Sequence, residues 1–150
     1  MQIYTIGYGN RPIKDFIALL HHYGIDLLVD IRSLPYSRFR PAYRKQALQE
    51  YLQAAGITYR YLGDVLGGKH PDPSCVIDGQ LDLTLLYALP AFRAGLDEVE
   101  AALQAGRTPA LMCAEQRPET CHRYWMLTPP LIERGLEVIH IDERGGIKHL

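Results

Sequence analysis

Short runs of consecutive apolar positions alternate along this chain with longer stretches in which apolar residues recur every three or four positions. Residues 2–6 are rich in β-formers and predict a strand that ends at Gly7-Tyr8-Gly9-Asn10. Ile13, Phe16, Ile17 and Leu20 then carry helical spacing, with Pro12 suited to the first turn and Gly24 as the stop. A second strand is predicted at 26–31, where Leu27, Leu28 and Val29 are apolar without alternation, as a strand covered on both faces requires. A loop over 32–41, a helix over 43–55 and a third strand over 57–61 follow. Residues 62–83, rich in Gly, Pro and Asp, read as an extended excursion. The helix over 89–105 is the clearest, with Phe92, Leu96, Val99 and Leu103 on one face. A fourth strand falls at 109–113 and a helix runs from Pro118 to about 127. Pro129-Pro130 break it, a short helix restarts there, and a fifth strand is predicted at 137–141.

Strands that alternate with helices in this way predict an α/β fold. The expected architecture is a single-domain open parallel sheet of about five strands over 1–150, with helices on both faces in three α/β/α layers. A (β/α)8 barrel needs a longer chain. The 150 residues are 47% hydrophobic and 22% charged with a net charge of -1. That balance excludes disorder and a protein that coats nucleic acid by bulk charge. No basic segment followed by an apolar run opens the sequence, and no apolar stretch approaches the roughly 20 residues of a membrane span. The cysteines are Cys75, Cys113 and Cys121, an odd and low number that favours reduced thiols. The expected location is therefore cytoplasmic, with no membrane partner.

Ligands of open parallel sheets bind beyond the carboxyl ends of the strands. The predicted strand ends deliver Gly7, Tyr8, Gly9, Asn10 and Arg11 from the first, Asp30 and Arg32 from the second, Tyr61 and Gly63 from the third, Cys113 and Glu115 from the fourth, and His140 and Asp142 from the fifth. Cys113 is followed by Arg117, Cys121, His122 and Arg123 at a predicted helix start. Positive charge and free amide groups there would lower the Cys113 pKa and make it a nucleophile. Glu115 or His122 would move protons. Arg123 and Arg32, with the Gly7–Gly9 turn, would hold an anion. Asp30 fits a structural partner of an arginine. Cys113, Cys121 and His122, with His70 or Cys75, form a weaker metal set, and no metal or other cofactor is expected.

From 31 to 49 there is no acidic residue, whereas Arg32, Arg38, Arg40, Arg44 and Lys45 are basic and Tyr36, Phe39 and Tyr43 are interleaved. This composition suits phosphate contact with base stacking. Two phosphate motifs fail. Gly63-x4-Gly68-Lys69 is followed by His70 where a P-loop has Ser or Thr, and Gly7-x-Gly9 lacks the third glycine of the dinucleotide fingerprint.

Thr5-Ile6-Gly7-Tyr8-Gly9-Asn10-Arg11, Val29-Asp30-Ile31-Arg32-Ser33-Leu34-Pro35-Tyr36-Ser37, Tyr61-Leu62-Gly63 with Leu66-Gly67-Gly68, and Met112-Cys113-Ala114-Glu115 with Cys121-His122-Arg123 together resemble the family called domain of unknown function 488. The resemblance spans nearly the whole chain and implies a small cytoplasmic α/β domain; it implies no reaction. More loosely, a cysteine after a strand with an arginine near a helix start is similar to rhodanese and phosphatase loops. Cys113 and Arg123 stand too far apart for a C-x5-R cradle. Three functions follow: a cysteine-dependent transferase or hydrolase on an anionic, phosphate- or nucleotide-containing small molecule; a nucleic-acid-binding module without catalysis; and a cysteine-based redox or metal sensor.

Overall fold

The structure, a computed structural model, describes residues 1–69 and 72–150. Its strands are β1 (Gln2–Gly7), β2 (Leu27–Asp30), β3 (Thr58–Tyr61), β4 (Val76–Ile77), β5 (Gln80–Leu81), β6 (Pro109–Cys113), β7 (Glu137–Ile141) and β8 (Ile147–Lys148). Its α-helices are α1 (Ile13–His22), α2 (Lys45–Ala54), α3 (Gly63–Leu66), α4 (Leu83–Ala88), α5 (Pro90–Gln104), α6 (His122–Trp125) and α7 (Thr128–Glu133). The main sheet has the order β3-β2-β6-β1-β7-β8, parallel except where β8 pairs antiparallel with β7. All five parallel strands therefore present their carboxyl ends along one edge.

Alternation along the strands builds two cores. Ile3, Leu27, Val29, Leu111 and Cys113 face a layer made by Leu66, Phe92, Leu96, Met126 and Leu131. Their neighbours Ile6, Leu28, Ala110 and Met112 face Phe16, Leu20, Leu48 and Leu52 of α1 and α2. Covering both faces is what makes the strand sequences continuously apolar. Among the described residues, no helix is long and apolar enough to cross a membrane.

The five parallel strands and the main helices match the sequence reading. The excursion after β3 departs from it: it holds α3, the β4–β5 hairpin and α4, whose N-cap Asp82 accepts a hydrogen bond from the Leu85 amide. The helix expected from Pro118 is also divided. Pro118–Thr120 form a single 3-10 turn, Cys121 is extended (φ -112°, ψ 148°), and α6 starts after it. Pro129 and Pro130 open α7, where a missing N–H costs nothing.

Candidate functional site

Register sets the site. Gly7 lies opposite Cys113 and Asp30 opposite Met112, so the segments after β1, β2 and β6 emerge side by side. They pack too closely for side chains at two positions. A Cβ on Gly7 would fall 1.6 Å from the Glu115 carbonyl oxygen, and one on Gly63 would fall 1.8 Å from the Arg32 carbonyl oxygen. The Tyr8 and Gly9 amides donate to the Cys113 and Ala114 carbonyls, extending the β1–β6 pairing past the sheet. The loop after α3 joins them: the Lys69 amide donates to Ser33 Oγ at 2.8 Å, and Gly68 packs against the His122 ring.

On the α1/α2 side, Asp30 is fully buried and accepts from Arg32 Nε at 2.9 Å, Arg32 Nη2 at 2.8 Å and the Arg32 amide at 3.1 Å. Tyr59 donates to it at 2.6 Å, and burial first, then the Asp30 charge, pushes the Tyr59 pKa far up. The Arg32 guanidinium lies 5.4 Å from the centre of the Tyr8 ring, which stacks on Tyr43 at 4.1 Å. Arg32 Nη1 is buried without a hydrogen-bond partner among the described residues. Asp30 is thus the structural partner that the sequence suggested.

On the other side, Arg123 is completely buried. Nη1 donates to Thr5 Oγ1 at 3.1 Å and Nη2 to the carbonyls of Gln116 and Glu115 at 2.9 and 3.4 Å. Among the described residues it makes no ion pair, and its Nε has no partner. A closed ring of hydrogen bonds holds it. Thr128 Oγ1 donates to the Arg123 carbonyl at 2.9 Å, so His140 Nε2, 3.5 Å from that oxygen, carries the ring proton. Nδ1 of the neutral ring then accepts from Thr5 Oγ1 at 2.6 Å, which in turn accepts from Arg123. Burial first, and then the Arg123 charge, lowers the His140 pKa from 6.5 to about 4. The ring therefore holds a neutral imidazole. Thr5 and Thr128 escaped the sequence reading because a strand threonine and a helix-start threonine look ordinary.

The thiols reverse one expectation. Cys113 donates to the Glu115 carbonyl at 3.5 Å, and burial, followed by its interaction with Cys121, raises its pKa well above that of a free thiol. The thiol held low is Cys121: the interaction with Cys113 favours its thiolate most, burial opposes it, and His122 and the Arg123 amide favour it further. The physical reason is position. Both sulfurs are buried in the same core, but Cys121 caps α6 and accepts the Arg123 N–H at 3.5 Å, whereas Cys113 ends a strand. His122 Nε2 donates to the Ile31 carbonyl at 3.0 Å, so its Nδ1 is the atom that faces Cys121 Sγ at 3.6 Å.

The structure brings Gly7, Tyr8, Gly9, Asp30, Arg32, Cys113, Cys121, His122 and Arg123 to this edge. Glu115 takes part through its carbonyl, and its side chain is exposed. Arg11 turns toward β7, donating to the Gly7 and Asp142 carbonyls, and Asn10 is exposed. Arg38 lies on the surface with its guanidinium 5.2 Å from the centre of the Phe39 ring, outside the cluster. Among the described residues no set of three His, Cys, Asp or Glu is arranged to hold a metal ion; His70 lies outside them, and Cys75 is buried in the core.

The family described as Domain of unknown function DUF488 matches residues 12–128. The chain belongs to this family. The DUF488 match takes in Asp30, Arg32, the Cys113–Arg123 segment and Thr128, while Gly7, Thr5 and His140 lie outside the matched residues. No curated protein and no solved structure matches the chain.

Proposed function

We propose that this DUF488 protein is a cysteine-dependent enzyme, a transferase or hydrolase, acting on a small anion that carries a phosphate. One observation carries the reading: among the described residues the fully buried Arg123 guanidinium has no carboxylate beside it and keeps Nε unpartnered, next to a pair of thiols whose charge is held on Cys121. A buried cation without a counter-charge is costly, and a bound oxyanion offsets that cost. In the proposed step the Cys121 thiolate attacks phosphorus and the S–P bond forms as the bond to the leaving oxygen breaks. That oxygen takes the proton of Cys113 or His122. Water, or an acceptor hydroxyl in a transferase, then cleaves the S–P bond and returns the proton.

Alkylation by iodoacetamide, followed site by site by mass spectrometry, tests this. Cys121 should keep its rate down to about pH 6, where a free thiol loses about tenfold per pH unit below its pKa. Inorganic phosphate should slow the reaction in the native protein and much less in Arg123→Lys. An ordinary thiol profile at Cys121 with no phosphate effect overturns the proposal. The adjacency of Cys113 and Cys121 also favours a redox-sensor reading, in which hydrogen peroxide oxidises the two thiols to a disulfide and leaves as two waters. Under that reading peroxide removes two free thiols together in the native protein, and phosphate has no effect on alkylation.

A further inference from the structure

The segment between β2 and α2 has no place in the chemistry above. Leu34 is 70% exposed, Tyr36 50% and Phe39 80%, three large apolar side chains within six residues that add nothing to either core. Around them stand Arg38, Arg40, Arg44 and Lys45, which make no ion pair among the described residues. No carboxylate interrupts the chain from 31 to 49; those at its border include Asp30, buried against Arg32, Asp15 near Tyr43, Glu50, which accepts from Gln46, and Asp64 beside Tyr61.

The segment is held in shape. The Lys45 amide donates to the Pro35 carbonyl at 3.0 Å, the Arg40 amide to Ser37 Oγ at 3.1 Å, and Arg44 Nε to the Ser37 carbonyl at 3.0 Å. Cations back the rings: Arg44 lies 4.6 Å from the centre of Tyr36, Arg38 5.2 Å from that of Phe39, and Lys45 Nζ 4.8 Å from that of Tyr61. The exposed faces of Tyr36 and Phe39 are left open.

We infer that this surface binds single-stranded nucleic acid, with unpaired bases stacking on Tyr36 and Phe39 and phosphates meeting Arg38, Arg40 and Lys45. Flat rings backed by guanidinium groups are stacking platforms for unpaired bases. Arginine predominates over lysine, which suits the geometry of phosphate. Because the loop is fixed in advance, little ordering entropy opposes binding. A membrane surface fits less well, since the exposed apolar groups sit on a pinned loop and not along one face of a helix. The site is separate from the thiols, and its test does not depend on them.

Fluorescence anisotropy with labelled 12-nucleotide oligo-U and oligo-dT provides the test, the two probes separating RNA from DNA. Three phosphate contacts predict a salt slope of about -2, so affinity falls about 15-fold from 50 to 200 mM salt. Phe39→Ala should weaken binding by about 5-fold or more, and Phe39→Trp should restore it. Arg38→Ala with Arg40→Ala should weaken it at least about tenfold, while Cys121→Ser binds as the native chain does. A flat salt response overturns the inference. So does a Phe39→Ala variant that binds normally, which reduces the effect to undirected charge, or a preference for vesicles of anionic lipid over both oligonucleotides.

Discussion

Acid should weaken this fold through one imidazole. His140 is 1% exposed, and its ring is locked between the Thr5 and Thr128 hydroxyls with the Arg123 guanidinium one residue away through Thr5. A second proton, on Nδ1, would place an imidazolium in a buried site beside the Arg123 guanidinium. The folded pKa is therefore about 4, against 6.5 for the free side chain. Between these values the unfolded chain binds a proton that the folded chain refuses, so stability is full above about pH 6.5 and declines as pH falls toward 4. The difference corresponds to about 2 kcal/mol lost between pH 7 and 5, and about 3 kcal/mol by pH 4. Urea unfolding across this range, compared with His140→Asn, isolates the effect. Asn keeps an acceptor for Thr5 and cannot titrate, and every other group titrates equally in both chains. The gap between the two stability curves should narrow by about 2 kcal/mol from pH 7 to 5. Parallel curves would refute the ring.

Two further substitutions probe the opposite face and the packed edge. Asp30→Asn leaves the buried Arg32 charge without its partner and should cost about 3–5 kcal/mol by urea unfolding, whereas Tyr59→Phe, which removes one neutral donor, should cost about 1 kcal/mol; equal costs would mean that the pair carries no special weight. Gly63→Ala drives a Cβ into the Arg32 carbonyl and should cost about 3 kcal/mol. Gly56→Ala, at φ +76° with open space around it, should cost about 1 kcal/mol, and a Gly63 variant no worse than that would show the edge to be loosely packed.

How much of this was legible depends on the length scale of the signal. β2 and β6 announce themselves because both faces are covered, which leaves a continuous apolar run. β4, β5 and β8 have two residues each, too few for any periodicity. The convergence of Gly7, Arg32 and Cys113 follows from parallel strands ending on one edge, as the strand-end rule expects, whereas Arg123 joins them from α6. Which sulfur carries the charge did not follow. That turns on Cys121 breaking the predicted helix to become a cap, a local backbone choice between Pro118 and His122 that helical spacing does not report. Arg32 and Arg38 show the same limit within one loop. Six residues apart and alike in sequence, one is buried against Asp30 and the other lies on the surface beside Phe39.

The two buried arginines answer one problem in different ways. Arg32 is neutralised within its own strand end by Asp30. Among the described residues Arg123 has only hydroxyls and carbonyls as partners, and its charge acts on the Cys113 thiol, which is coupled to Cys121. The cation and the thiolate are then thermodynamically linked. Arg123 favours the ionised sulfur, and protonation of the sulfur leaves the guanidinium uncompensated. An anion bound at Arg123 takes over the sulfur's role as counter-charge and must raise the thiol's proton affinity. Slowing of Cys121 alkylation by phosphate should accordingly be strongest at mildly acidic pH, where displaced charge is most readily replaced by a proton, and should fade as pH rises.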